Sequence, residues 1–126
     1  MVSNAERAIY EMVLERDRIM VHERMYAGGS LEAFLAAEPW VCVAPMIDKW
    51  PLVDLNVSVT CSGEMERDHV HEHSGGTRGK RPLTTMETLV ILCHHHHQDG
   101  WATSHRPEIR EYIKRANERY GQVRQL

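Results

Sequence analysis

The sequence predicts a small α+β protein, and three stretches carry that expectation. Residues 4–27 are rich in Glu, Arg, Met, Leu and Ala with no Pro, as a helix requires. Val53, Leu55, Val57, Val59 and Cys61 alternate with polar residues, the period of a strand with one buried face. Near the C-terminus, Ile109, Tyr112, Ile113, Ala116 and Tyr120 fall at helical spacing after Pro107.

Within the first stretch, Ser3-Asn4-Ala5-Glu6 has the form of a capping box. Ile9, Val13, Ile19 and Met20 supply an apolar stripe, and Gly28-Gly29 predicts the helix end. Ser30 can cap a short second helix to about Ala37, which Pro39 closes. Residues 40–51 read as a loop crossing the core. After the 53–61 strand, Ser62-Gly63 signals a turn, and residues 65–70 form a second extended segment carrying Asp68 and His69. Residues 74–82 are a basic, glycine-rich loop. The apolar run Leu89–Leu92 then delivers Cys93 and His94–His97, from which a helix can continue to about Ala102. Gly121 is expected to stop the last helix. Two units follow: a helical extension over 1–50 and a second domain over 51–126.

Composition narrows the function classes. The chain has 126 residues, 42% hydrophobic and 26% charged, which suits one globular domain. No apolar run approaches the roughly 18 residues needed to span a bilayer, and charges interrupt the N-terminus where a signal peptide would be apolar. A soluble intracellular protein with no membrane partner is expected. Three cysteines, Cys42, Cys61 and Cys93, are too few and odd in number for a disulfide framework. The net charge of −3 gives no global attraction to nucleic acid. Local clusters can still do so: Arg78, Lys80 and Arg81, with Arg106 and Arg110, are candidate phosphate contacts.

Eight of the nine histidines lie between His69 and His105, beside an aspartate and two cysteines. A carboxylate next to an imidazole at a strand end, with a second imidazole supplied by a helix, can hold a divalent cation. The remaining imidazole can serve as a general base, and phosphodiester hydrolysis uses this combination. His71 and His73 alternate with His69 and would share its face; His22 and His105 read as structural.

These residues resemble a known family. Asp68-His69-Val70, the loop from Ser74-Gly75-Gly76, and Thr88-Leu89-Val90-Ile91-Leu92-Cys93 followed by His94–His97 are similar to the HNH endonuclease pattern. The resemblance covers roughly Cys61 to Trp101 and is closest to small HNH proteins of bacteriophages and their hosts. It implies a ββα-metal finger with an N-terminal helical extension and a C-terminal helix. It also implies a DNA endonuclease in the bacterial cytoplasm, with a weak link to the phage terminase and genome packaging. His69 then resembles the general base, Asp68 a metal ligand, and His97 the helix-borne ligand, with His96 as the alternative register. Thr88 stands where the family has an asparagine that helps hold the base.

The implied cofactor is one divalent cation, Mg2+, Mn2+, Ni2+ or Zn2+. A structural Zn2+ on Cys61, Cys93 and His96 is a further possibility, with Cys42, another histidine or water as the fourth ligand; Ser58 replaces the cysteine the family would supply. An apolar core without zinc is the alternative at that position. Two other functions compete: a zinc-stabilised finger that binds DNA or protein without cutting, and a hydrolase of small phosphate esters.

Overall fold

In a computed structural model the described residues are 3–25, 28–48, 61–71 and 83–125. They form a mixed α+β fold, the class expected, with six helices and a two-stranded antiparallel sheet among the described residues. The order is α1 (Asn4–Met25), α2 (Leu31–Ala36), α3 (Ala44–Asp48), β1 (Met65–His69), β2 (Leu89–Cys93), α4 (His94–Gln98), α5 (Trp101–Ser104) and α6 (Arg106–Arg124). Most of the strand expected over 53–61, the basic loop and His73 lie outside the described residues. None of the described helices is long and apolar enough to cross a membrane.

Strand β2 is the centre of the fold. All five of its residues are buried, because α1 and α6 cover the sheet that β1 completes. The register pairs Met65 with Cys93 and His69 with Leu89. Val13, Met20, Val43, Leu89, Leu92, Ile109 and Ala116 belong to one apolar cluster. Burying each of the larger side chains is worth roughly 1.5–3 kcal/mol. The α6 stripe read from the sequence is the buried face of that helix.

Local details depart from expectation. The loop over 40–51 contains the short helix α3, and Val43 N–H donates to Ile91 O at 3.2 Å, tying this segment to β2. The helix begun at His94 breaks at Gly100, whose φ of +98° is costly for other residues, and restarts as α5. Gly121 does not stop α6. Tyr120 Oη and Arg124 Nε both donate to Glu15 Oε1, at 3.0 and 2.8 Å, and hold the last turn onto α1. That tether offsets part of the roughly 1 kcal/mol cost of an internal glycine.

The largest departure is polar. Arg16 and Asp17, which look like the solvated face of a helix, are wholly buried. Asp17 Oδ2 accepts Ile91 N–H at 2.8 Å, and its Oδ1 accepts Tyr112 Oη at 2.7 Å and Arg16 Nε at 2.9 Å. Arg16 donates to the carbonyls of Met86 and Leu89, both at 2.7 Å, and to Asn117 Oδ1 at 2.9 Å. Burial, then the neighbouring Asp17, pushes the Tyr112 hydroxyl well above its ordinary pKa, so it stays a donor. Through this network α1 is fastened to β2 and α6. The Asp17→Ala variant is expected to lose roughly 3–5 kcal/mol, because it strands a buried guanidinium; urea unfolding with an unchanged midpoint would refute this.

Candidate metal and catalytic site

Two clusters flank α4, and strand and helix periodicity sort the histidines between them. The first is buried. Cys42 precedes α3, Cys61 precedes β1, Cys93 ends β2 and His96 lies on α4; their ligand atoms all fall within 4.8 Å of one another. His96 Nδ1 is 3.1 Å from Cys93 Sγ, 3.6 Å from Cys61 Sγ and 3.7 Å from Cys42 Sγ. A tetrahedral zinc with S and N ligands sets neighbouring donors roughly 3.5 Å apart, so the spacing fits. Three thiols and one imidazole, mostly buried, could hold a metal such as zinc in a closed, structural site. Cys42 stands where the fourth ligand that sequence left open would be.

Two features set this geometry. Cys93 N-caps α4, its Sγ accepting His96 N–H at 3.4 Å. At Gly63, φ is +85°, and an added Cβ would sit 2.5 Å from His94 Cβ, so only glycine lets the Cys61 turn lie against α4. The turn is then held by His94 N–H to Glu64 O at 2.9 Å and His95 N–H to Ser62 O at 3.2 Å. A hydrogen bond with Cys61, then burial, raises the Cys42 pKa, against the opposing amides of Cys93 and Ala44. Metal loading would therefore release protons. Trp101 packs edge-on to His96 at 5.4 Å and stacks on His105 at 4.3 Å.

The second cluster opens toward solvent. Glu66 and Asp68, two apart on β1, point to one face. His94 and His97, three apart on α4, meet them there. His97 Nε2 lies 3.4 Å from Asp68 Oδ1, while its Nδ1 lies 2.8 Å from Glu66 Oε1. His94 Nδ1 lies 2.7 Å from Glu66 Oε2. Bonds from His94 and then His97 hold the Glu66 carboxyl down to about 2, so it is an anion against the two rings. Its bond in turn raises the His94 pKa. Asp68 is 3% exposed, and burial raises its pKa against the pull of Arg106, His97 and His69. Arg106, at the start of α6, donates to Asp68 Oδ2 at 2.7 Å.

A carboxylate on one ring nitrogen, with the other aimed at a second carboxylate, is how metal-ligating histidines are oriented. Asp68 and His97 could hold a divalent cation, with Glu66 fixing the ring. His96 turns away into the cysteine cluster.

His69 follows Asp68 directly, so strand alternation sends its side chain to the opposite face. There Nε2 lies 3.2 Å from Thr84 Oγ1. Thr88 is buried and works within the turn before β2: its hydroxyl donates to Leu83 O and accepts Thr85 N–H at 3.0 Å. Its carbonyl accepts Val70 N–H at 2.8 Å, closing the sheet just past His69. Arg110 lines a surface groove with Glu87, Lys114 and Asn117. His71 is half-buried. His22 is buried, with Nε2 2.9 Å from Gly29 O, and His105 Nδ1 lies 2.7 Å from Trp101 O. Arg78, Lys80, Arg81 and Ser58 lie outside the described residues.

Sequence reasoning missed Glu66, Thr84 and the Arg106–Asp68 pair. Period-2 spacing from Asp68 was the available signal for Glu66. Thr84 and Arg106 carried none, since each meets its partner through tertiary contact. Compared with known proteins, the chain matches no family model, no curated protein and no solved structure.

Proposed function

We propose that the chain is a metal-dependent DNA endonuclease of the HNH type, its β1–β2–α4 unit steadied by structural zinc. The observation that carries this reading is the 3.4 Å approach of His97 Nε2 to Asp68 Oδ1, with Glu66 on the other ring nitrogen. A divalent cation bound there would neutralise charge on the phosphoryl and leaving oxygens. Asp68 offers a hard oxygen and His97 a nitrogen, a set open to Mg2+, Mn2+, Ni2+ or Zn2+.

Around that position the side chains divide the work. Glu66 keeps the His97 ring in one orientation. Arg106 steadies Asp68 through one nitrogen, and its planar fork suits a phosphate oxygen. His69 ends β1 on the face opposite Asp68, so in this reading the phosphodiester lies across the strand end, with the cation on one side and the imidazole on the other. His69 takes the proton from the attacking water, because an ordinary imidazole is mostly neutral at pH 7.

Plasmid nicking with Mg2+, Mn2+ or Ni2+ tests the proposal. The His69→Ala variant is expected to cut about 100-fold or more slowly while binding DNA as before, the usual contribution of a general base. Equal cutting by both proteins would remove His69 from the chemistry. A second reading, a zinc-stabilised finger that binds without cutting, is favoured by Arg106 occupying Asp68 Oδ2 and by the engagement of the Thr88 hydroxyl within its own turn. Binding without cleavage by the wild type would establish it instead.

A further inference from the structure

The face of β1 opposite Asp68 carries a chain of hydrogen bonds that ends on the N-terminal helix. His69 Nε2 lies 3.2 Å from Thr84 Oγ1, which lies 3.3 Å from Glu6 Oε2. The same carboxylate oxygen accepts Tyr10 Oη at 3.3 Å. Counting protons fixes the direction. An ionised carboxylate only accepts, so the one hydroxyl proton of Thr84 goes to Glu6. Thr84 then offers His69 only lone pairs, and Nε2 must carry the hydrogen. A neutral ring so protonated keeps its basic lone pair on Nδ1.

The members of the chain are held independently of one another. Ser3 Oγ accepts Glu6 N–H at 3.1 Å and caps α1, leaving the Glu6 side chain to reach across to Thr84. The buried Arg16–Asp17 network fixes α1 against β2. Arg67, two residues before His69 on the same strand face, lies 4.0 Å over the Tyr10 ring. The Thr85–Thr88 turn carries Thr84 up to the imidazole.

We propose that Glu6, acting through Thr84, is a positioning residue that sets the tautomer of His69, so that Nδ1 is the nitrogen that accepts the proton. This role rests on the reading of His69 as general base. The N-terminal helix is then a working part of the site as well as a brace. The chain also has a polarity that one substitution can reverse. A glutamine at position 6 can donate to Thr84, freeing the Thr84 proton for Nε2 and moving the ring hydrogen to Nδ1.

Long-range proton–nitrogen spectra of the 15N-labelled full chain, at about pH 8 where free imidazoles are neutral, read the tautomer without any need for cleavage. The His69 signals are identified by their loss in His69→Gln. The wild type is expected to show the Nε2–H form and Glu6→Gln a shift toward Nδ1–H. Thr84→Val should give a mixture, and Thr84→Ser the wild-type pattern. A wild-type Nδ1–H ring, or one pattern shared by all four proteins, overturns the proposal. If Thr84→Val fails to fold, Glu6→Gln and the wild type still decide it. In plasmid cleavage, Glu6→Gln is expected to lower kcat about tenfold with KM unchanged, a part of the general-base contribution. A wild type that never cuts defeats the nuclease reading, while the spectra still judge the tautomer.

Discussion

Replacing Cys93 by serine is expected, on the proposed reading of its cluster as a zinc site, to abolish zinc binding and lower the thermal midpoint by roughly 10–20 °C. Cys93 is fully buried, ends β2, caps α4 and is the thiol nearest His96. Apparent zinc-binding free energies of isolated fingers run to roughly 10–16 kcal/mol. This chain has an apolar core of its own, so only part of that is at stake, and about 4 kcal/mol produces the stated shift. Cys42→Ser should fall nearly as far. Its thiol lies on the segment before α3, and its Sγ is 3.7 Å from His96 Nδ1. Zinc quantified by mass spectrometry beside a melting curve checks both. One equivalent of tightly held zinc in Cys42→Ser, with an unchanged midpoint, would reduce the site to three protein ligands. Affinity should also weaken as pH falls, because the raised Cys42 pKa makes protons compete with the cation.

His97→Ala and His96→Ala should fail in different ways although the residues are neighbours. His97 meets Asp68 and Glu66; His96 meets three sulfurs. On the proposed nuclease reading, the His97 variant is expected to bind zinc and melt as the wild type does while DNA cleavage drops about a thousandfold, as loss of several kcal/mol of charge stabilisation implies. The His96 variant is expected to lose zinc and stability together. Identical phenotypes would mean that α4 serves one metal centre only. An unaffected cleavage rate in His97→Ala would move the catalytic cation elsewhere.

Patterns with a short period were legible from the amino-acid order: the capped N-terminal helix, the buried stripe of α6, the apolar run of β2 and the D-H and L-C-H-H-H-H motifs. Each repeats along a few residues, and its physical cause is local. The sequence by itself therefore determined the α+β class and a histidine- and cysteine-rich region around Cys61–Trp101 suited to holding metal. Tertiary structure decided which atoms meet. Among four adjacent histidines the family resemblance singled out His97 with His96 as the alternative, but the 100° step between helix residues sorts them between two clusters only once β1 and the Cys61 turn take up their sides of α4. Cys42 and Glu6 joined their clusters from distant segments, and Arg16 and Asp17 went inside against the usual preference of charge for water. In each case the partners that make burial favourable lie on other elements, and only the folded chain brings them within reach.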